Sequence, residues 1–123
     1  MRLSDAIREG CRYTTKAREM FFGDDVPNTA CALGAAVLGY NHITYDNITT
    51  LDLARVWPEL TLEPERAMVT TCPDCGELTV MLCLISDHLN DRHDWPREAI
   101  ADFIETLSID LTPAPVVREA VPA

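Results

Sequence analysis

Residues 71–93 read TCPDCGELTVMLCLISDHLNDRH, which spaces four metal-binding side chains as Cys72-x2-Cys75-x12-His88-x4-His93. Two thiolates from a tight turn and two imidazoles returned by a helix complete a tetrahedron around Zn2+, and this spacing lies within the range of Cys2His2 fingers. Pro73 and Gly76 fit a knuckle turn, whose backbone N–H groups must point toward sulfur. A site with four protein ligands has no open position for substrate, so the zinc expected here is structural.

Two features depart from the finger pattern. Thr79 stands where a finger carries an aromatic core residue, although Val80 can fill that space and Ile85 matches the expected aliphatic. His88 and His93 are five residues apart, about 140° around an ideal helix. The helix is therefore expected to tighten or end between them, and Asn90-Asp91 offers an ending. Two alternatives stay open: free thiols with His88 on an outer helix face and His93 in a turn, or a mixed ligand set in which Cys31 or Cys83 takes part. A thioredoxin-type dithiol lacks its βαβ setting here.

Outward from this stretch the pattern is mainly helical, with room for a small α+β element. LTVMLCLIS is apolar throughout and runs into SDHLNDRH, which favours a helix after a short strand beginning near Glu77. Pro96 suits the first position of a further helix with Glu98 in its first turn and Ile100, Phe103, Ile104 and Leu107 as its buried stripe. At the N-terminus LSDAIREGCRYTTKA sets Leu3, Ile7 and Cys11 on one face, with Ser4 as an expected N-cap. Gly23–Asn28 reads as a turn. Asn28 or Thr29 then caps a helix through ACALGAAVLG, whose small residues and lack of charge imply burial against close neighbours, with Cys31 as a core residue. YNHITYDNITT reads as loop or short strand with His42 at the surface, and DLARVWPEL gives one or two helical turns ended near Pro58.

The 123 residues suit one compact domain over 1–110, with 47% hydrophobic residues to build a core, and PAPVVREAVPA puts a flexible tail at 111–123. No apolar run is long enough to span a membrane, and the early charges of MRLSDAIREG leave no room for a secretory signal, so a cytoplasmic setting is expected. The net charge of −10 repels phosphate. Only the stretch Arg2, Arg8, Arg12, Lys16 and Arg18 is basic.

LSDAIREG at 3–10, CALGAA at 31–36 and HLNDRHDWPREAIADFIE at 88–105 together resemble a group of small proteins of bacteria and their phages that has no assigned activity. The chain departs from that group at Pro96, where a hydroxyl-bearing cap is usual, and at Phe103, where Trp is usual. The resemblance implies a phage or prophage setting and brings no catalytic residue with it.

Three functions are weighed on this basis. The first is a non-enzymatic protein that binds a basic host protein as regulator or inhibitor of a defence or transcription system, using Asp87, Asp91, Asp94, Glu98, Asp102 and Glu105. The second is a DNA-binding regulator, which the charge disfavours: the helix after Pro96 has Arg97 alone against three acids. The third is an enzyme with Cys31 or Cys83 as nucleophile, a histidine as base and Asn90 or Asp91 as orienter, for which no motif specifies the nucleophile.

Overall fold

The computed structural model describes residues 1–17, 29–41 and 49–107. The expected turn at 23–28, His42 with most of its loop, and the tail at 111–123 lie outside the described residues.

The element order is α1 (Leu3–Cys11), β1 (Thr15–Lys16), β2 (Thr29–Ala30), α2 (Ala32–Asn41), α3 (Thr50–Val56), a 3-10 turn (Pro58–Leu60), β3 (Val69–Thr71), β4 (Leu78–Val80), α4 (Met81–Cys83) continuing as a π-helix (Leu84–Arg92), and α5 (Arg97–Thr106). The architecture is mainly helical, with two small sheets of two strands each, β1–β2 parallel and β3–β4 antiparallel. Among the described residues no helix is long and apolar enough to cross a membrane.

α1 packs against α2 and α5. The first of these contacts explains the small residues of both helices. A Cβ on Gly10 would lie 1.7 Å from the carbonyl oxygen of Ala35, and one on Gly39 would lie 2.1 Å from that of Ala6. The two backbones approach so closely that only hydrogen fits at either position. Leu3, Ile7, Leu33, Ala36, Trp57, Leu84, Leu89, Ile100 and Ile104 belong to one continuous buried core.

Four local expectations are corrected. α1 stops at Cys11 rather than running on to Ala17, because Thr14 turns its hydroxyl back to the carbonyl of Gly10 at 2.9 Å and Thr15 begins a strand. Ser4 is not the N-cap: Arg2 holds that position without a side-chain bond, and Ser4 is fully buried. Thr29 lies in β2 and does not cap α2. Cys31 Sγ accepts from Gly34 N–H at 3.4 Å instead, and the buried Asn90 Oδ1 accepts from Ala32 N–H at 3.1 Å. Pro96 precedes α5 by one residue, in extended conformation, rather than opening it.

The DLARVWPEL segment forms its two short turns as expected. Thr49 and Asp52 add a capping box, which also holds the Asp52 carboxyl below its usual range through the backbone N–H of Thr49.

Candidate metal centre

β3, the turn after it, β4 and the following helix build the centre in the order strand, knuckle, strand, helix. The turn is closed by Cys72 N–H to Glu77 O at 2.9 Å and Gly76 N–H to Cys72 O at 2.9 Å. Gly76 adopts φ +81, a left-handed conformation that a side chain would strain. The knuckle thereby directs both cysteines toward the helix.

That helix ends at Arg92, between the two histidines as the spacing requires, but it widens before ending and does not tighten. Residues 84–92 form i to i+5 bonds, including His93 N–H to His88 O at 2.7 Å. In this wider winding the offset between residues five apart is much smaller than the about 140° of an α-helix, so the H-x4-H spacing brings both imidazoles to one side. Their ring centroids are 5.8 Å apart. Asp94, at φ 54, closes the segment.

Cys72, Cys75, His88 and His93 each offer one ligand atom, and these atoms all lie within 4.8 Å of one another. In a tetrahedral zinc site, bonds of about 2.0–2.3 Å put ligand atoms about 3.3–3.8 Å apart, so closing around an ion requires shifts of only about 1 Å. Cys75 Sγ and His88 Nδ1 are already 3.6 Å apart. Cys72 and His88 are buried, His93 is half-buried and Cys75 is exposed.

The surroundings of the imidazoles test whether these residues fit a metal. His93 Nε2 is buried without any hydrogen-bond partner, a cost that an ion at that atom removes. Its other nitrogen, Nδ1, faces Asp74 Oδ2 at 3.6 Å, and Asp74 is held in place by Trp95 Nε1–H at 2.9 Å. His88 repeats the pattern in mirror sense, with Nδ1 toward Cys75 and Nε2 toward Glu77 Oε2 at 3.4 Å. Each ring thus presents one nitrogen to the centre and the other to a carboxylate, the arrangement that fixes the tautomer of a metal-bound histidine. The four residues fit a metal ion. Asp74, Glu77 and Trp95 were missed by sequence reasoning, although both carboxylates sit inside the C-P-D-C-G-E knuckle itself.

Cys31 and Cys83 stand apart from this group. Cys31 caps α2, and burial pushes its thiol up to about 11, so it is a protonated thiol at neutral pH and a poor nucleophile. Asn90, the orienter in the enzyme reading, is buried and committed to Ala32 N–H, the carbonyl of Ala17 and Asp91.

Of the six carboxylates expected to form a partner surface, Asp87, Asp94, Glu98, Asp102 and Glu105 are exposed and Asp91 is half-buried. Several are engaged within the chain: Asp87 with Arg92 at 3.3 Å, Asp94 with Lys16 at 2.6 Å, and Asp102 and Glu105 both with Arg8, at 2.7 and 2.6 Å. These pairs use up much of the N-terminal basic stretch, and Arg12 pairs with Glu9. Arg97, the one cation counted from sequence on the helix after Pro96, is buried. It donates to Thr14 Oγ1 at 2.6 Å, Thr14 O at 2.7 Å and Ala30 O at 3.1 Å.

No family model matches this chain, and neither curated proteins nor solved structures give a match.

Proposed function

We propose that this chain is a zinc-stapled protein that works by binding a basic surface of another protein and carries out no chemistry at its metal. The observation that carries the proposal is the closed Cys72, Cys75, His88 and His93 group, with a carboxylate behind each histidine. Thiolate and imidazole ligands in a four-coordinate set favour Zn2+, and such a set leaves no position for substrate. The net charge of −10 selects the partner's sign. The resemblance to bacterial and phage proteins sets this binding in a host cytoplasm, as regulator or inhibitor of a defence or transcription system.

A DNA-reading finger is the second reading, favoured by the strand-strand-helix order. It is opposed by the helix itself: Met81, Leu82, Leu84 and Ile85, four of its first five residues, are buried in the core and out of reach of a groove.

Native mass spectrometry of protein purified without added metal tests the proposal. One zinc per chain is expected, lost together with helicity in the Cys72→Ser, Cys75→Ser double variant. A wild-type chain that is folded and metal-free would overturn the metal reading, and tight, salt-sensitive DNA binding would favour the second.

A further inference from the structure

The ribbon beside the metal centre has an open edge. β3 and β4 pair as Val69↔Val80, Thr70↔Thr79 and Thr71↔Leu78, and no other strand joins them among the described residues. Cys72 N–H to Glu77 O and Met81 N–H to Met68 O mark hydrogen-bonded pairs at either end of the ladder. By antiparallel alternation, Val69, Thr71, Leu78 and Val80 then occupy the intervening non-bonded positions, and their N–H and C=O groups point outward. The same four residues share one face of the ribbon, on which Val69 is 52% and Leu78 68% exposed. Natural edges are blunted by shortness, lysine, proline or inward charge; the strands are short, at three residues each, but neither Val69-Thr70-Thr71 nor Leu78-Thr79-Val80 contains lysine, proline or a charge.

Charge selects the occupant. Glu63, Glu65, Asp74 and Glu77 flank or join the two strands against Arg66, paired with Glu63, and Arg92, 3.8 Å from Glu77, which leaves the rim net acidic, and Asp74 and Glu77 keep 44% and 58% of their side chains exposed. Zn2+ with two thiolates adds no net charge to this region. A second copy of the chain would bring another −10 to the same edge, whereas a basic segment is drawn to it. β3 and β4 are equally short, but β4 leads directly into α4, so β3 is the edge on which an added strand is placed.

We infer that the outer edge of β3 accepts, as an added strand, an extended segment of a partner protein in which apolar and basic residues alternate. Main-chain bonds to Val69 and Thr71 supply affinity, apolar side chains lie on the face of Val69 and Leu78, and basic ones meet the acidic rim. The inference rests on the proposal that the chain works by binding a protein, and names the surface.

The test uses the zinc-loaded full chain and three nonapeptides: alternating valine and lysine, alternating valine and glutamate, and the valine-lysine peptide fully N-methylated. Binding is read by fluorescence anisotropy, and its place by amide hydrogen exchange. The valine-lysine peptide is expected to bind and to slow exchange at Val69 and Thr71, with the other two at least about tenfold weaker. Val69→Lys in the protein should weaken binding similarly with zinc content unchanged, and Leu78→Lys serves if that variant does not fold. Absence of binding, equal affinity for the N-methylated peptide, protection confined to α5, or dimerisation of the chain through this edge would each overturn the inference. Zinc is measured on the same sample. A loaded chain that ignores the peptide sinks this inference alone, and a metal-free chain that still binds it sinks only the metal reading.

Discussion

At the scale of single residues, Asp74 has the most informative position. It takes a hydrogen bond from Trp95 and faces the nitrogen of His93 that points away from the ligand cluster. Such outer carboxylates typically contribute about 10–100-fold to metal affinity. Asp74→Ala is therefore expected to weaken zinc binding by about that factor in competition with a chelating dye, and Asp74→Asn, which keeps an acceptor oxygen, by less. An unchanged affinity in both variants would show that the carboxylate does not orient His93.

Buried thiols make a second residue-scale prediction. Desolvation raises Cys31 and Cys11 from 9.0 to about 11. The folded state holds the protonated thiol while the unfolded chain ionises near 9, so the contribution is intact below that value and is lost as pH rises from about 9 to about 11. Urea midpoints across this window should fall in the wild type. They should fall less in Cys31→Ser, which retains a capping atom for Gly34 N–H but does not titrate there.

At the scale of elements, the contact between α1 and α2 is set by two missing side chains. A methyl group at Gly10 or Gly39 would collide with a backbone carbonyl, which cannot swing aside as a flexible side chain can. Gly10→Ala and Gly39→Ala should each cost at least about 1–3 kcal/mol despite the better helix propensity of alanine, measured as a fall in the denaturant midpoint. Stabilisation by either would mean that the helices are farther apart. CALGAAVLG announces this contact in sequence through its small residues, but the partner helix and the register between the two are tertiary facts.

The π-helix was less legible. Its residues have no periodicity that distinguishes it from an α-helix, and the only trace of the wider winding is the five-residue step from His88 to His93. A step of that size predicts tightening or an ending; the ending is present at Arg92, and the widening before it is what the spacing does not predict. What favours widening here is that both rings reach one centre while Leu84, Ile85 and Leu89 stay buried on the core side.

At the scale of the whole molecule, Arg97 and Asn90 connect segments far apart in the chain. Arg97 holds the carbonyls of Thr14 and Ala30, and Asn90 joins the start of α2 to the carbonyl of Ala17. Arg97→Ala removes a buried guanidinium and leaves those acceptors without it, for an expected loss of about 2–4 kcal/mol by thermal or urea unfolding. A loss below about 0.5 kcal/mol would mean that water replaces the guanidinium without penalty.

The Cys72, Cys75, His88 and His93 group, the mainly helical class and the buried positions Leu3, Ile7, Ile100 and Ile104 follow from the sequence alone, because side-chain chemistry and local periodicity are properties of short segments; Cys11, Phe103 and Leu107, expected in the same stripes, are only partly buried. Only the tertiary structure decided that the helix after β4 turns its apolar residues into the core, that Arg97 is internal, and that several of the anticipated partner acids are engaged by Arg8, Lys16 and Arg92. Charge pairing and burial depend on which segments meet in space. Neither is encoded in the spacing along any one of them.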